Sequence, residues 1–177
     1  MGEAVIPAKV KLIAGLLSID QGHLTSIKNA LIDSYGEIDC ESEIIPFRCT
    51  NYYNDEMGDN ILRQYIAFGR LVCPGDIADI KIHSNVLEDQ YTKDGRRQVN
   101  IDPGLIDQAK MILATTKDAT YRVYIARGIY AQPTLYYEDK TCHGYSWTYS
   151  DYKSEKAIHF FNKARNIYRK LVKEGKL

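Results

Sequence analysis

The sequence lacks the segments that direct proteins to membranes or out of the cell. No apolar run approaches the ~18–20 residues of a membrane helix, and no basic start precedes an apolar stretch as in a signal peptide. The cysteines form no C-x-x-C pair, so the common zinc-site spacings are absent. We therefore expect a cytoplasmic protein with reduced thiols, no membrane segment and no bound metal. The cysteines are Cys40, Cys49, Cys73 and Cys142.

The motifs of the common enzyme classes are also missing. Neither G-x-x-x-x-G-K-[ST] nor G-x-G-x-x-G occurs, which removes support for a P-loop or a dinucleotide-binding site. Thr116-Lys117-Asp118 lacks the spacing of the guanine-reading Asn-Lys-x-Asp motif. The four histidines are scattered and no nucleophile elbow is present. Catalytic residues and cofactors are therefore unassigned, and the sequence leaves open whether the protein is an enzyme.

The chain has no net charge, but its charge is unevenly distributed. Residues 1–94 carry 8 basic and 15 acidic side chains, whereas residues 95–177 carry 15 basic and 8 acidic ones. This asymmetry indicates either a basic surface for an anionic partner or two halves that pack in complement, and a homo-oligomer is one form of the second. Fourteen tyrosines accompany one tryptophan and four phenylalanines, a composition typical of half-buried strands or pocket walls.

The first hundred residues alternate strand and helix patterns in the order β-α-β-β-α-β, which predicts a ferredoxin-like core in an antiparallel sheet. Both helices are expected on one face of this sheet, so later residues must cover the other face. A helix is the alternative for the third strand, because its periodicity is mixed. The predicted strands are 10–17, 37–47, 61–72 and 98–101, and the predicted helices are 23–35 and 77–91.

The rest of the chain predicts a turn, a hairpin and a terminal helix. Asp102-Pro103-Gly104 is expected to end the preceding strand, because proline lacks an N–H and glycine permits a positive φ. Pro133 indicates an edge or a bulge in its strand. We predict one α+β domain over residues 1–177, with a βαββαβ-like part at 9–102 and an added part at 103–177. That second part comprises a short helix at 105–110, strands at 111–115, 121–126 and 129–137, and a helix from Ser154 to about Lys173.

Candidate ligand-binding groups lie in polar loops that follow predicted core strands. Hydroxyls and a lysine can bond phosphate or carboxylate oxygens, and an arginine can grip two oxygens at once. Aromatic side chains beside a carboxylate can stack on a flat ligand and accept a hydrogen bond from it. We therefore expect one binding site formed by Asn100, Asp102, Gly104, Thr115, Thr116, Lys117 and Arg122, joined by Tyr53, Glu56, Trp147, Tyr149 and Asp151.

Five separate segments carry a resemblance to a known family. They are Phe47–Gly58, Asn100–Gly104, Leu113–Lys117, Gly128–Leu135 and Trp147–Tyr152. Together they resemble a prokaryotic family known only as domain of unknown function 4416, some members of which carry a GTP-binding label. The resemblance covers nearly the whole chain and implies where a site lies, but it implies no reaction. Relative to that family, Gln132 stands where an acidic residue is expected, and Tyr121 where a histidine is expected.

Two functions from different classes follow from these observations. The first is binding of a small anionic ligand, a phosphorylated or carboxylated metabolite or a nucleotide, in the polar loops. The second is a non-catalytic module that binds RNA or a partner subunit through a basic C-terminal helix, and RNA binding would weaken with salt. That helix and its entry carry Lys153, Lys156, Lys163, Arg165, Arg169, Lys170 and Lys173.

Overall fold

The computed structural model describes residues 1–50 and 53–175, apart from the side chains of residues 54 and 55. Residues 51 and 52 of the first matching segment therefore lie outside the described residues. The strands are β1 Val10–Ser18, β2 Ile38–Glu41, β3 Ile45–Pro46, β4 Leu62–Val72, β5 Thr92–Lys93, β6 Arg96–Arg97, β7 Val99–Ile106, β8 Lys110–Thr115, β9 Val123–Ala126, β10 Ile129–Glu138 and β11 Thr141–Gly144. The helices are α1 Gln21–Tyr35, α2 Asn54–Met57, α3 Ile77–Gln90 and α4 Glu155–Lys173.

One antiparallel sheet organises the described part of the chain. Its main path runs β11-β10-β8-β7-β1-β4-β2, while β3 pairs with β4 and β9 pairs with β10. The interior strand β1 is buried at every position, Lys11 included, and its otherwise apolar sequence is typical of a strand covered on both faces. The prediction of a mainly antiparallel α+β protein with a C-terminal helix is confirmed. Residues 62–72 form a strand and not the alternative helix.

Helices cover both faces of the sheet. Leu24, Ile27 and Leu31 of α1 pack with α3 against the even-numbered positions of β1. On the opposite face, Phe160 and Phe161 of α4 pack against the odd-numbered positions of β1 and β4. This arrangement follows from the two-residue period of a strand, which sends alternate side chains to opposite faces. The sheet therefore separates two apolar cores, and α4 supplies the cover that the second face requires.

Three local predictions were wrong. Asp102-Pro103-Gly104 does not end its strand, because β7 continues to Ile106. At Pro103 the strand is paired with β1, whereas β8 pairs with β7 only from Gly104 onward, and proline is tolerated where a strand has an open side. The helix predicted at 105–110 is absent, because these residues complete β7 and the turn into β8. The strand predicted at 37–47 is two short strands, β2 and β3.

Other predicted boundaries hold more closely. Helix α1 begins at Gln21, where the Asp20 side chain accepts a hydrogen bond from the backbone N–H of His23, and it stops at Gly36 with a φ of 89°, as expected for a glycine stop. The edge or bulge that Pro133 predicted corresponds to an irregularity in pairing, because the register between β10 and β8 shifts between Pro133 and Leu135. No helix in the described ranges is both long and apolar enough to cross a membrane.

Candidate functional site

A cavity of about 390 Å³ lies where the start of β4 and the middle of β7 meet the loops that follow β3, β8 and β11. Its polar wall contains two carboxylates and two cations, and its aromatic wall contains three rings. Because the lining residues come from five separate segments, the fold and not local sequence creates the cavity. The polar wall includes Arg63, Asp102, Lys117 and Asp151, and the aromatic wall comprises Phe47, Tyr53 and Tyr149.

Arg63 is the central charged group of this cavity. Its side chain is only 3 % exposed, and its Nη2 donates to Asp151 Oδ2 at 2.7 Å. Nη1 lies 3.4 Å from Asp102 Oδ2. The guanidinium also lies 5.3 Å from the centroids of Phe47, Tyr65 and Tyr152, a distance at which a cation is attracted to an aromatic face. Arg63 therefore joins the carboxylates and the aromatic core in one buried cluster.

The two buried tyrosines next to Arg63, namely Tyr65 and Tyr152, are tightly packed. Tyr65 donates to Asp151 Oδ2 at 3.2 Å, while the buried Tyr152 hydroxyl has no hydrogen-bond partner among the described residues. Gly15 of β1 leaves room for this cluster, since an added Cβ would meet the Tyr152 hydroxyl and would lie 2.8 Å from Arg63 Nη1. The glycine in the middle of an apolar strand thus has a packing reason.

A second arginine holds two walls of the cavity together. Arg122 Nη1 donates to the carbonyl oxygen of Lys117 at 2.7 Å, and its Nη2 donates to the Tyr149 hydroxyl at 2.8 Å. Arg122 Nε donates to Gln132 Oε1 at 2.8 Å. Lys117 and Tyr149 line the cavity, whereas Arg122 bonds to both but is not itself among the lining residues. Gln132 therefore orients Arg122 from the position where the family resemblance leads us to expect an acidic residue.

A third arginine anchors the loop that carries Tyr53. Arg97 forms a two-point ion pair with Glu56, with N···O distances of 2.7 and 3.1 Å. Its Nη1 also donates to Glu88 at 3.0 Å and to Asn100 Oδ1 at 2.9 Å. Glu56 and Asn100 thus belong to a network next to the cavity and do not line it. Two-point arginine–carboxylate contacts fix geometry well, so this network positions the aromatic wall.

The remaining predicted residues have local structural contacts. Thr115 Oγ1 accepts a hydrogen bond from the Lys117 backbone N–H at 3.2 Å, while Thr116 is exposed. Gly104 lies against β8, where an added Cβ would meet the Ile112 carbonyl oxygen. Trp147 is stacked between Tyr121 and Tyr145, with centroid distances of 5.3 and 4.8 Å, and donates to the Pro133 carbonyl oxygen. None of these four residues is among the groups that line the cavity.

The structure thus brings together Tyr53, Asp102, Lys117, Tyr149 and Asp151 of the predicted set. Sequence reasoning missed Arg63 and Phe47 as site residues. A signal for Arg63 was present, because an arginine interrupts an otherwise apolar strand pattern and buried arginines are rare without a partner. Among the described residues, no three His, Cys, Asp or Glu side chains form a group that could hold a metal ion.

The buried tyrosines around the cavity predict sensitivity to alkali. Burial raises the pKa of Tyr53, Tyr65 and Tyr152 above the ordinary value of 10.0. In the unfolded chain these groups ionise near pH 10, so stability is fully present below that pH and falls as the pH rises beyond it. We expect absorbance at 295 nm to show the exposed tyrosines ionising reversibly first. The buried set should ionise only together with loss of the folded far-ultraviolet circular dichroism signal.

The unfolded protein is the control for the tyrosine titration. In about 6 M guanidinium chloride, which unfolds most domains, all fourteen tyrosines should titrate together near pH 10. If the folded protein titrated in the same way while its circular dichroism stayed unchanged, the tyrosines would be accessible and the burial argument would be wrong.

Comparison with known proteins identifies one matching family. The family model for a domain of unknown function (DUF4416) matches residues 8–168. The chain belongs to this family. The match includes every residue that lines the cavity. A search of curated proteins and a search of solved structures return no match.

Proposed function

We propose that the protein binds a small organic anion, a phosphorylated or carboxylated metabolite, in the cavity around Arg63. The observation that carries the proposal is that Arg63 and Lys117 share one concave site with three aromatic side chains. Concave sites with apolar walls and a few converging polar groups are the usual form of small-molecule sites. A flat part of the ligand contacts the rings, and its anionic group faces Lys117.

Rigid support for the lining residues also favours a binding site. Arg122 holds the Lys117 backbone and Tyr149, while Arg97 holds the loop of Tyr53 through Glu56. Such support reduces the ordering cost that a ligand must overcome on binding. The cavity volume of about 390 Å³ lies toward the small end of the usual range for ligand sites. A compact metabolite therefore fits better than a nucleoside triphosphate, which is the larger alternative.

Intrinsic fluorescence offers a direct test of this proposal. Trp147 is the only tryptophan in the chain, and it stacks on Tyr121, next to Arg122, which contacts two lining residues. We would titrate a panel of carboxylates and phosphate esters, with AMP and GTP included, and would confirm each response by calorimetry. Lys117→Ala should weaken binding of a responding compound about tenfold, the cost of one charge-assisted hydrogen bond.

The matched control is Lys93→Ala, which removes an exposed lysine on β5 outside the cavity lining. This variant should bind like the parent protein. Equal losses in both variants would indicate a general charge effect and would contradict binding in the cavity. The absence of any response in the panel at millimolar concentration would reject the proposal.

The alternative, binding of RNA or a partner subunit through α4, has weaker support. Arg165 was expected on the basic surface, but it is buried, donates to the Gln108 carbonyl oxygen and stacks on Tyr137. Lys156 pairs with Glu43 at 3.0 Å. The basic face of α4 is therefore smaller than its sequence predicted.

A further inference from the structure

We infer that the ligand carries a protonated amine beside its anionic group and that Asp102 binds this amine. This inference rests on the proposed function and narrows the ligand to zwitterions of the amino-acid class. The cavity contains two carboxylates with different roles, and their contacts distinguish them. One carboxylate completes the buried cluster of Arg63, and the other remains for a ligand.

The Asp151 carboxylate is hydrogen-bonded to other residues of the protein. It is only 5 % exposed, and its Oδ2 accepts hydrogen bonds from Arg63 Nη2 at 2.7 Å and from the Tyr65 hydroxyl at 3.2 Å. A buried carboxylate held by a cation and a hydroxyl has its desolvation compensated within the fold. Asp151 therefore neutralises Arg63 and has a structural role.

Asp102 is held far more loosely. Its side chain is 26 % exposed, and its contact with Arg63 Nη1 is long, at 3.4 Å. It lines the cavity together with Arg63 and the aromatic residues. A carboxylate that is partly exposed in a concave site and weakly bonded by the protein is suited to accept hydrogen bonds from a ligand cation.

The charges of the cavity point to the same ligand class. Two cations, Arg63 and Lys117, face two carboxylates, Asp102 and Asp151. The cavity therefore has no net formal charge, and a ligand with balanced charges matches it better than a polyanion does. The rings of Tyr53 and Tyr149 line the same space, and aromatic faces attract an ammonium group.

The hydroxyl of Tyr149 adds a hydrogen-bond donor. Its oxygen accepts a hydrogen bond from Arg122 Nη2 at 2.8 Å. The hydroxyl proton is therefore not used in that contact and can be donated to another acceptor. A phenol can donate one hydrogen bond while it accepts another. This donor and Lys117 together suit a carboxylate oxygen, while Asp102 suits the neighbouring amine. An α-amino acid presents these two groups one carbon apart.

The experiment compares the twenty protein amino acids with their analogues that lack the α-amino group, for example phenylalanine with 3-phenylpropionate. Binding is measured by calorimetry at pH 7.5 on the whole protein and on Asp102→Asn. Asparagine keeps the size of the side chain and removes its charge. The matched control is Asp33→Asn, which removes an exposed carboxylate on α1, a helix that packs on the opposite face of the sheet.

We expect at least one amino acid to bind at least tenfold more tightly than its analogue without the amine. Asp102→Asn should abolish this preference by weakening the amino acid alone, while Asp33→Asn should keep it. Thermal unfolding of each variant verifies that the fold is retained. If the substitution unfolds the protein, Asp102→Glu provides the second variant, because it keeps the charge but displaces it, and it should reduce the same preference.

Two results would overturn the inference and separate it from the proposed function. Equal binding of amino acids and their analogues without the amine would reject a role for Asp102 in amine recognition, but it would support an anion site. Binding of phosphate esters from the first panel, with no amino acid binding at up to 10 mM, would likewise reject a zwitterionic ligand. It would still support the proposed binding of an anion. A lack of binding by any compound in either panel would reject both.

Discussion

Replacing Arg63 with alanine is expected to lower the free energy of unfolding by about 3–5 kcal/mol, the usual cost of removing one partner of a buried ion pair. The substitution leaves the carboxylate of Asp151, which is 5 % exposed, with a tyrosine hydroxyl but no cation. It also removes the guanidinium that three aromatic rings surround at 5.3 Å. Urea unfolding measures the loss, and the midpoint of thermal unfolding should fall by roughly 10 °C.

Arg70→Ala is the matched control, because Arg70 lies on the same strand with an exposed side chain. Exposed substitutions of this kind usually change stability by about 0.5 kcal/mol or less. Arg63→Lys separates charge from shape. It keeps a cation but loses the planar fork, so it should recover only part of the stability. A loss below about 1 kcal/mol for Arg63→Ala would show that the cluster is not the buried ion pair that we describe.

Gly104→Ala is expected to cost about 3 kcal/mol, toward the upper end for overpacking in a core. The added Cβ would meet the Ile112 carbonyl oxygen, and it would lie 2.9 Å from Leu113 Cδ2 and 3.0 Å from Ile13 Cδ1. The oxygen belongs to the backbone of β8, which pairs with β7 at this position. A flexible side chain can move away, but the backbone oxygen moves only if the strands separate. Urea unfolding again measures the change.

Gly69→Ala on β4 is the control for this substitution. An added Cβ there has its nearest contacts at 3.6 Å, which is ordinary packing distance. Because alanine also restricts the unfolded chain more than glycine does, Gly69→Ala should be neutral or slightly stabilising. If Gly104→Ala were as well tolerated as Gly69→Ala, close approach of β7 and β8 would not explain why a glycine stands at this position.

The sheet and its helices were predictable because each has a periodic sequence signal. The largely apolar sequence of residues 10–17 predicted the strand β1, and the pattern from Ser154 to Lys173 predicted the terminal helix α4. The error at Asp102-Pro103-Gly104 has a physical cause. Local preference marks these residues as a turn, but pairing of all three with β1 keeps them extended. Tertiary pairing outweighed local preference, and a single sequence does not display that pairing.

The candidate site was predictable in part, for a similar reason. Tyr53, Lys117, Tyr149 and Asp151 lie in loops that follow strands, so their position near the sheet could be inferred, whereas Asp102 lies within β7. Arg97 and Arg122 act through hydrogen bonds to residues from distant segments, and no local pattern reveals such contacts. Arg63 was missed as a site residue, because its partner Asp151 lies 88 residues away along the chain.

The position of β1 in the sheet has a consequence for synthesis of the chain. This strand is completed at Ser18, but its neighbours β4 and β7 begin at Leu62 and Val99. At about 5–20 residues per second, a ribosome needs roughly 4–16 seconds to add the second neighbour. Both edges of β1 are open until β4 is made, and one edge stays open until β7 is made, which favours association with other chains. A nascent chain halted before residue 99 should therefore bind a chaperone that recognises extended apolar segments, and one halted after α4 should not.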